Sequence, residues 1–161
     1  MPFVDGQPLR ILHATRAPVG GIFRHILDLA NGQADRGHHV GIIADSLTGG
    51  ERAEQALAEI APRLKLGVHR TAIRREPLPT DLLVWARFQR MIGELKPDVL
   101  HGHGSKGGLY ARLPAFLEGP ERPVRVYTPH GGSLNYKPGS LLHKVYMRVE
   151  RVLEMRTDVF S

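Results

Sequence analysis

Arg10-Ile11-Leu12-His13-Ala14-Thr15-Arg16-Ala17-Pro18-Val19-Gly20-Gly21-Ile22-Phe23-Arg24-His25-Ile26-Leu27-Asp28-Leu29-Ala30 is the stretch on which the fold turns. From Leu9 to Thr15 the chain is a β-like run rich in Ile and Leu, and the following segment through Pro18 to Gly20-Gly21 reads only as a turn. The period then changes. Ile22, Ile26, Leu29 and Ala30 recur at helical spacing up to Arg36-Gly37, where the glycine suits the position just past a helix end. Strand, glycine turn and helix together make one βα unit.

Outward from that unit the alternation repeats. Residues 40–44 predict a second strand, and residues 51–60, between Gly49-Gly50 and Pro62, a second helix. Residues 66–73 read as a weaker strand. Thr80-Asp81 can cap a helix over residues 82–95, which Pro97 stops before a strand at 98–101. Ser105 can cap a fourth helix through Leu109, Arg112, Leu113 and Phe116, ended by Gly119-Pro120 ahead of a strand at 124–128. Leu142, Val145, Tyr146, Val149, Val152 and Leu153 form one apolar stripe, with Lys144, Arg148, Arg151 and Glu154 opposite, so the last helix is amphipathic. Residues 157–161 look like a sixth strand beginning as the sequence stops, so the chain is expected to be the front part of something longer. Strands separated by helices pair in parallel through right-handed crossovers. The expected fold is therefore α/β: one Rossmann-like, three-layer α/β/α domain over residues 1–161 with a mostly parallel sheet. Ligands of such sheets sit beyond the carboxyl ends of the strands, where the strand order reverses.

Composition bounds the function. The 161 residues carry 22 Lys and Arg against 16 Asp and Glu, a formal net charge of +6, which favours anionic partners without choosing among nucleotides, lipid surfaces and nucleic acid. With 42% hydrophobic and 24% charged residues the chain has ordinary globular usage, which excludes disorder driven by composition. No cysteine is present, so disulfides, a thiolate nucleophile and cysteine-based zinc or iron–sulfur sites are excluded. The N-terminal residues lack the basic and apolar regions of a signal peptide, and the densest apolar run, Leu82-Leu83-Val84-Trp85-Ala86, is far below the roughly 20 residues that span a bilayer. A cytoplasmic protein is expected.

The chemistry-bearing residues fall at strand ends. Gly20-Gly21 leaves room for backbone N–H groups and a helix N-terminus to approach a phosphate, or is simply a tight turn. A dinucleotide fingerprint needs G-x-G-x-x-G, and the sequence has Val19-Gly20-Gly21-Ile22-Phe23-Arg24, although Asp45 lies where a ribose-binding acid would. That reading loses its central element. His101-Gly102-His103-Gly104-Ser105-Lys106-Gly107-Gly108 places histidines, a hydroxyl, a lysine and glycines in one ligand-inviting loop. His101 and His103 are expected on opposite faces of the strand, with His101 structural and only His103 toward the crevice. No Asp or Glu lies between Asp98 and Glu118 to complete a metal site, so no metal is expected. Thr128-Pro129-His130-Gly131-Gly132-Ser133 has a His-Gly-Gly element like an esterase oxyanion loop, but the nearest partner motif, His103-Gly104-Ser105-Lys106-Gly107, precedes it and has His where the first Gly belongs. His130 is either a ligand contact or a hydrogen-bonded loop histidine.

Taken in register, these segments resemble a known family. Arg10-Ile11-Leu12-His13 running into Pro18-Val19-Gly20-Gly21, then Arg24 to Ala30 and Arg36-Gly37-His38-His39-Val40, resemble the start of a family 4 (group 1) glycosyltransferase of GT-B architecture. The segments from Pro97 to Gly108 and from Val126 to Gly132 are similar to that family's fourth and fifth strand ends, in the same order. The resemblance implies the N-terminal domain of a retaining enzyme that moves a sugar from a nucleotide-sugar donor to a glycan or lipid-linked acceptor, as in cell-envelope polysaccharide or glycolipid synthesis. It implies that this half shapes the acceptor site, and that a C-terminal half, absent here, grips the nucleotide, so that this piece alone is inactive.

By position, His130 matches the histidine near the transferred sugar and is the candidate catalytic residue. Gly20 and Gly21 match the loop that nears the donor diphosphate, and His103, Ser105, Lys106 and Gly131 match neighbouring substrate-binding positions. No cofactor beyond the nucleotide-diphosphate sugar is implied. The chain also lacks the D-x-D of metal-dependent enzymes of the other main fold. The expected partners are the donor, the acceptor, an anionic inner membrane face meeting Lys144, Arg148 and Arg151 peripherally, and a second copy of the chain across the sixth-strand edge, but not nucleic acid. The alternative is non-enzymatic: a Rossmann-like module that binds a nucleotide or a polyanion.

Overall fold

The computed structural model describes residues 6–74, 80–113, 122–130 and 141–161. In chain order the elements are β1 (Arg10–Thr15), α1 (Gly20–Asp35), β2 (His39–Asp45), α2 (Gly50–Ile60), a short 3-10 turn (Ala61–Arg63), β3 (Gly67–Thr71), α3 (Asp81–Leu95), β4 (Val99–His103), α4 (Gly104–Arg112), β5 (Val124–Thr128), α5 (Leu141–Glu154) and β6 (Val159–Phe160). The strands form one all-parallel sheet in the order β3-β2-β1-β4-β5-β6. The order reverses between β1 and β4, as the Rossmann-like reading requires.

Each face of the sheet has its own core. Val40, Ile42 and Ala44 meet Phe23, Ile26 and Ala30 of α1 and Ala53, Leu57 and Ile60 of α2. Leu12, Ala14, Ile43 and Leu100 meet Val84, Phe88 and Ile92 of α3 and Tyr110 and Ala111 of α4. Ile43 of β2 thus joins one apolar layer and its neighbours Ile42 and Ala44 the other, because side chains of a strand alternate in direction.

Most sequence-read boundaries hold. Gly37 and His38 close α1 by donating to Ala34 O and Gln33 O, the paired bonds of a Schellman end. The caps differ. Thr80 precedes α3 without a side-chain cap bond, and α4 begins at Gly104 after His103, so Ser105 lies within its first turn and is not its cap. The expected extension of α4 to Phe116 and its stop at Gly119-Pro120 lie outside the described residues. On α5 the expected stripe is corrected: Leu153 is buried, but Val149 and Val152 are exposed.

The glycines of α4 have a structural use. A Cβ on Gly107 would stand 2.4 Å from Ala14 O and 3.0 Å from Thr15 Cα, and one on Gly108 would stand 2.2 Å from the Tyr127 ring. Helix α4 therefore lies almost directly on the backbone of β1. Gly102 in turn makes room for Gly108 Cα. Arg112, wholly buried at the far end of the helix, has its guanidinium 3.5 Å from the Tyr127 ring centroid. It also donates to Gly108 O and to both Glu150 oxygens, which ties α5 to α4 and β5.

Candidate functional site

Three chain segments converge at the carboxyl edge of the sheet beside the β1/β4 reversal. Gly20 (φ +63°) starts α1 just after β1, and Gly104 (φ +65°) starts α4 directly after β4. Both adopt the left-handed backbone that glycine enters without strain. A Cβ at Gly20, Gly21 or Gly104 would meet nothing within 4 Å, so these helix starts stand open. Gly102, Gly107 and Gly108 do not share that openness, although the sequence writes them in the same loop.

His130 follows β5 with φ +52°, a left-handed conformation that a non-glycine residue holds only when its surroundings impose it. Its ring stacks with His103, centroids 5.4 Å apart, and His103 Nδ1 and His130 Nε2 share a hydrogen bond of 3.2 Å. Behind them the bonding continues inward. His103 Nε2 and His13 Nδ1 are 3.0 Å apart, and His13 Nε2 lies 2.8 Å from Gln33 Oε1 on α1. An amide oxygen only accepts, so His13 carries its proton on Nε2 and accepts at Nδ1 from His103 Nε2–H. His103 Nδ1 in turn accepts from His130 Nε2–H. One half-buried glutamine carbonyl thus sets the proton positions of three histidines in series.

His101 belongs to the same cluster, contrary to the expectation that it faces away from His103. Residues two apart on a strand share a face, and these two rings are 4.0 Å apart by centroid. His101 shares a 2.8 Å hydrogen bond with Thr128 Oγ1 and sits in register with His13. His25 of α1 closes the outer side, with its ring 5.4 Å from His130 and 6.0 Å from His103. His13 and His25 were quoted in the sequence motifs without a role. The period of two along β4 was the signal that placed His101 with His103.

The other candidates lie elsewhere. Lys106 is buried and donates to both Asp81 oxygens at 2.8 and 2.9 Å, beside Tyr110, whose hydroxyl donates to Asp81 Oδ1. Its ammonium therefore engages the start of α3. Ser105 is half-buried in the first turn of α4, and Gly131 lies outside the described residues. Asp45 is wholly buried, accepting from Thr48 Oγ1 and Ile73 N, which makes it a clamp between β2 and the segment after β3.

Burial holds the inner histidines, His13, His101 and His103, neutral near pH 7. It pushes His13 down to about 4, opposed by the Gln33 bond and helped by His25. It pushes His101 to about 3, with His13, His25 and His130 adding repulsion, and lowers His103 and, less strongly, His130. In the unfolded chain these side chains take up protons near pH 6.5, whereas the folded ones do not until well below it. Unfolding therefore takes up protons in that window. Stability is fully present above about pH 6.5 and falls as pH drops toward 4, by up to about 1.4 kcal/mol per pH unit for each such histidine. Urea midpoints with a chelator present should fall between about pH 7 and about pH 5. Equal midpoints would mean that His13 and His101 protonate freely in the folded protein.

Among the described residues, two groups of imidazoles have potential ligand nitrogens within 4.8 Å of one another: His13, His101 and His103, all buried, and His25, His103 and His130, of which His25 is exposed and His130 half-buried. The donors come from β1, α1, β4 and the segment after β5, so a search for acids within one loop could not find them. Among the described residues no helix is long and apolar enough to cross a membrane. Among protein-family models, the one described as a glycosyl transferase 4-like domain matches residues 20–161. No curated protein matches the chain.

Proposed function

The chain belongs to the glycosyl transferase 4-like domain family, and on that premise we propose that it is the acceptor-side half of a retaining, metal-independent glycosyltransferase of GT-B type. The observation that carries this reading is that the open α1 start at Gly20-Gly21 and the strained His130 both follow the carboxyl ends of strands near the order reversal, with His25 of α1 5.4 Å from the His130 ring. In this reading the donor diphosphate comes to the α1 N-terminus, whose free N–H groups and dipole favour anions. Departure of the nucleoside diphosphate builds negative charge, which fixed N–H dipoles can stabilise without a metal. His130, held by His103, contacts the sugar that is transferred, a positioning role that suits a neutral imidazole. His103 supports His130 from behind, and Ser105 and Gly131 extend the same edge. Lys106 contributes through Asp81 and α3.

The acceptor in this reading is a glycan or a lipid-linked sugar of the cell envelope. Lys144, Arg148 and Arg151 stand exposed on α5 and would face an anionic cytoplasmic membrane surface. The test is a screen of nucleotide sugars with the full-length protein for released nucleoside diphosphate. Release should depend on one donor and on an acceptor, persist with a chelator, and yield a product of the donor's anomeric configuration. Tight nucleotide or polyanion binding with no release from any donor would favour the non-enzymatic module instead.

A further inference from the structure

We propose that His25, His103 and His130 form a binding site for a borderline transition-metal ion, Zn2+ first among them, and that the bound ion shuts the sugar donor out. One potential ligand nitrogen of each lies within 4.8 Å of the other two. Around tetrahedral zinc, with bonds of 2.0–2.1 Å, neighbouring ligand atoms stand about 3.3–3.4 Å apart. His103 Nδ1 and His130 Nε2 are already 3.2 Å apart. Two ligands therefore hold the required edge, and only His25, an exposed side chain on α1, has to close.

The buried hydrogen-bond chain supplies the second argument. Gln33 and His13 keep the proton of His103 on Nε2, which leaves its Nδ1 lone pair aimed at His130 and the surface. A ligating histidine commonly has one nitrogen free for the metal and the other N–H held by a fixed acceptor. His103, only 1% exposed, has that arrangement before any ion arrives. Binding asks His130 to carry its proton on Nδ1 instead of Nε2, a shift open to a half-buried ring. Three imidazoles suit Zn2+, Co2+, Ni2+ or Cu2+ and not Mg2+ or Ca2+, which take oxygen ligands. The inner group of His13, His101 and His103 is no rival, because all three are buried and its bonds to Gln33 and Thr128 are already made. The fourth position is left to water or a small anion, as in zinc sites with three protein ligands.

The exclusion half rests on the proposed glycosyl transfer, since an ion held by His130 fills the edge assigned there to the sugar and, by moving the ring proton to Nδ1, removes the lone pair left to meet it. The binding half does not. The chain, freed of metal by a chelator, is titrated with Zn2+ by calorimetry and with Co2+ by visible absorption. One ion per chain is expected, with the intense bands of tetrahedral cobalt. His25→Ala and His130→Ala should each weaken binding by roughly tenfold or more with unchanged circular dichroism, while His69→Ala, a histidine bonded to Leu66 O in β3, should bind as the wild type does. Failure to bind Zn2+, or equal binding by all three variants, would overturn the site. In the full-length enzyme, Zn2+ should inhibit transfer competitively with the donor, and His25→Ala should relieve the inhibition. Binding that leaves transfer unaffected would overturn the exclusion and keep the site. Loss of transfer activity altogether, with Zn2+ binding intact, would count against the glycosyl-transfer reading alone.

Discussion

Replacing Gly107 by alanine should destabilise the protein by about 3 kcal/mol, the upper part of the range for overfilling a closed site. The added Cβ would stand 2.4 Å from Ala14 O, 3.0 Å from Thr15 Cα and 3.1 Å from Ala14 C. All three are backbone atoms of β1, which is bonded to β2 on one side and β4 on the other, so the strand cannot give way. Helix α4 must lift instead, loosening Tyr110 and Ala111 from the core and disturbing the Gly108 and Arg112 contacts. For a domain of this size the melting temperature should fall by roughly 6–12 °C. Gly93→Ala is the matched control, since a Cβ there meets nothing within 4 Å on the exposed side of α3. That change should stabilise by roughly 0.5–1 kcal/mol, because alanine loses less freedom than glycine in a helix. Thermal or urea unfolding reads both. A Gly107→Ala protein as stable as the wild type would place α4 farther from β1 than the structure has it.

His130→Ala in the full-length enzyme should leave folding intact and lower kcat/KM by roughly 10² or more, the scale on which loss of a positioning contact at the reacting group is felt. Position 130 has φ +52°, so alanine there also meets backbone strain. His130→Asn separates the two effects, because asparagine tolerates the left-handed region but has no imidazole. Both variants should lose transfer alike, with the asparagine protein the more stable to urea. Wild-type kcat/KM in either would make His130 a satisfied loop histidine.

The layers of the fold were legible because they are written locally. Alternating apolar strands, glycine turns and helical periods occur within a few residues of one another, and parallel pairing follows from having a helix between each two strands. Gly37 at the end of α1 and Pro97 ahead of β4 were readable for the same reason. The α5 stripe was less so, since a helical period shows which residues share a face but not how much of that face a neighbour covers. Val149 and Val152 stayed exposed.

The site was legible only in part. His103 and His130 announced themselves at strand ends beside glycines. That His101 shares a face with His103 was also present in the sequence, because residues two apart on a strand return to the same side of the sheet. What the sequence by itself determined is the order of strands and helices and the neighbourhood of each strand end, although β4 runs to His103, two residues past its expected end. Which glycines stand open and which are filled by a neighbouring backbone, as at Gly20 against Gly107, was decided only by how closely α4 settles on β1. The joining of His13, His25 and Gln33 to His103 and His130 was likewise a tertiary outcome. His13 and His103 are 90 positions apart and meet because β1 pairs with β4, a hydrogen-bond register that no local period encodes.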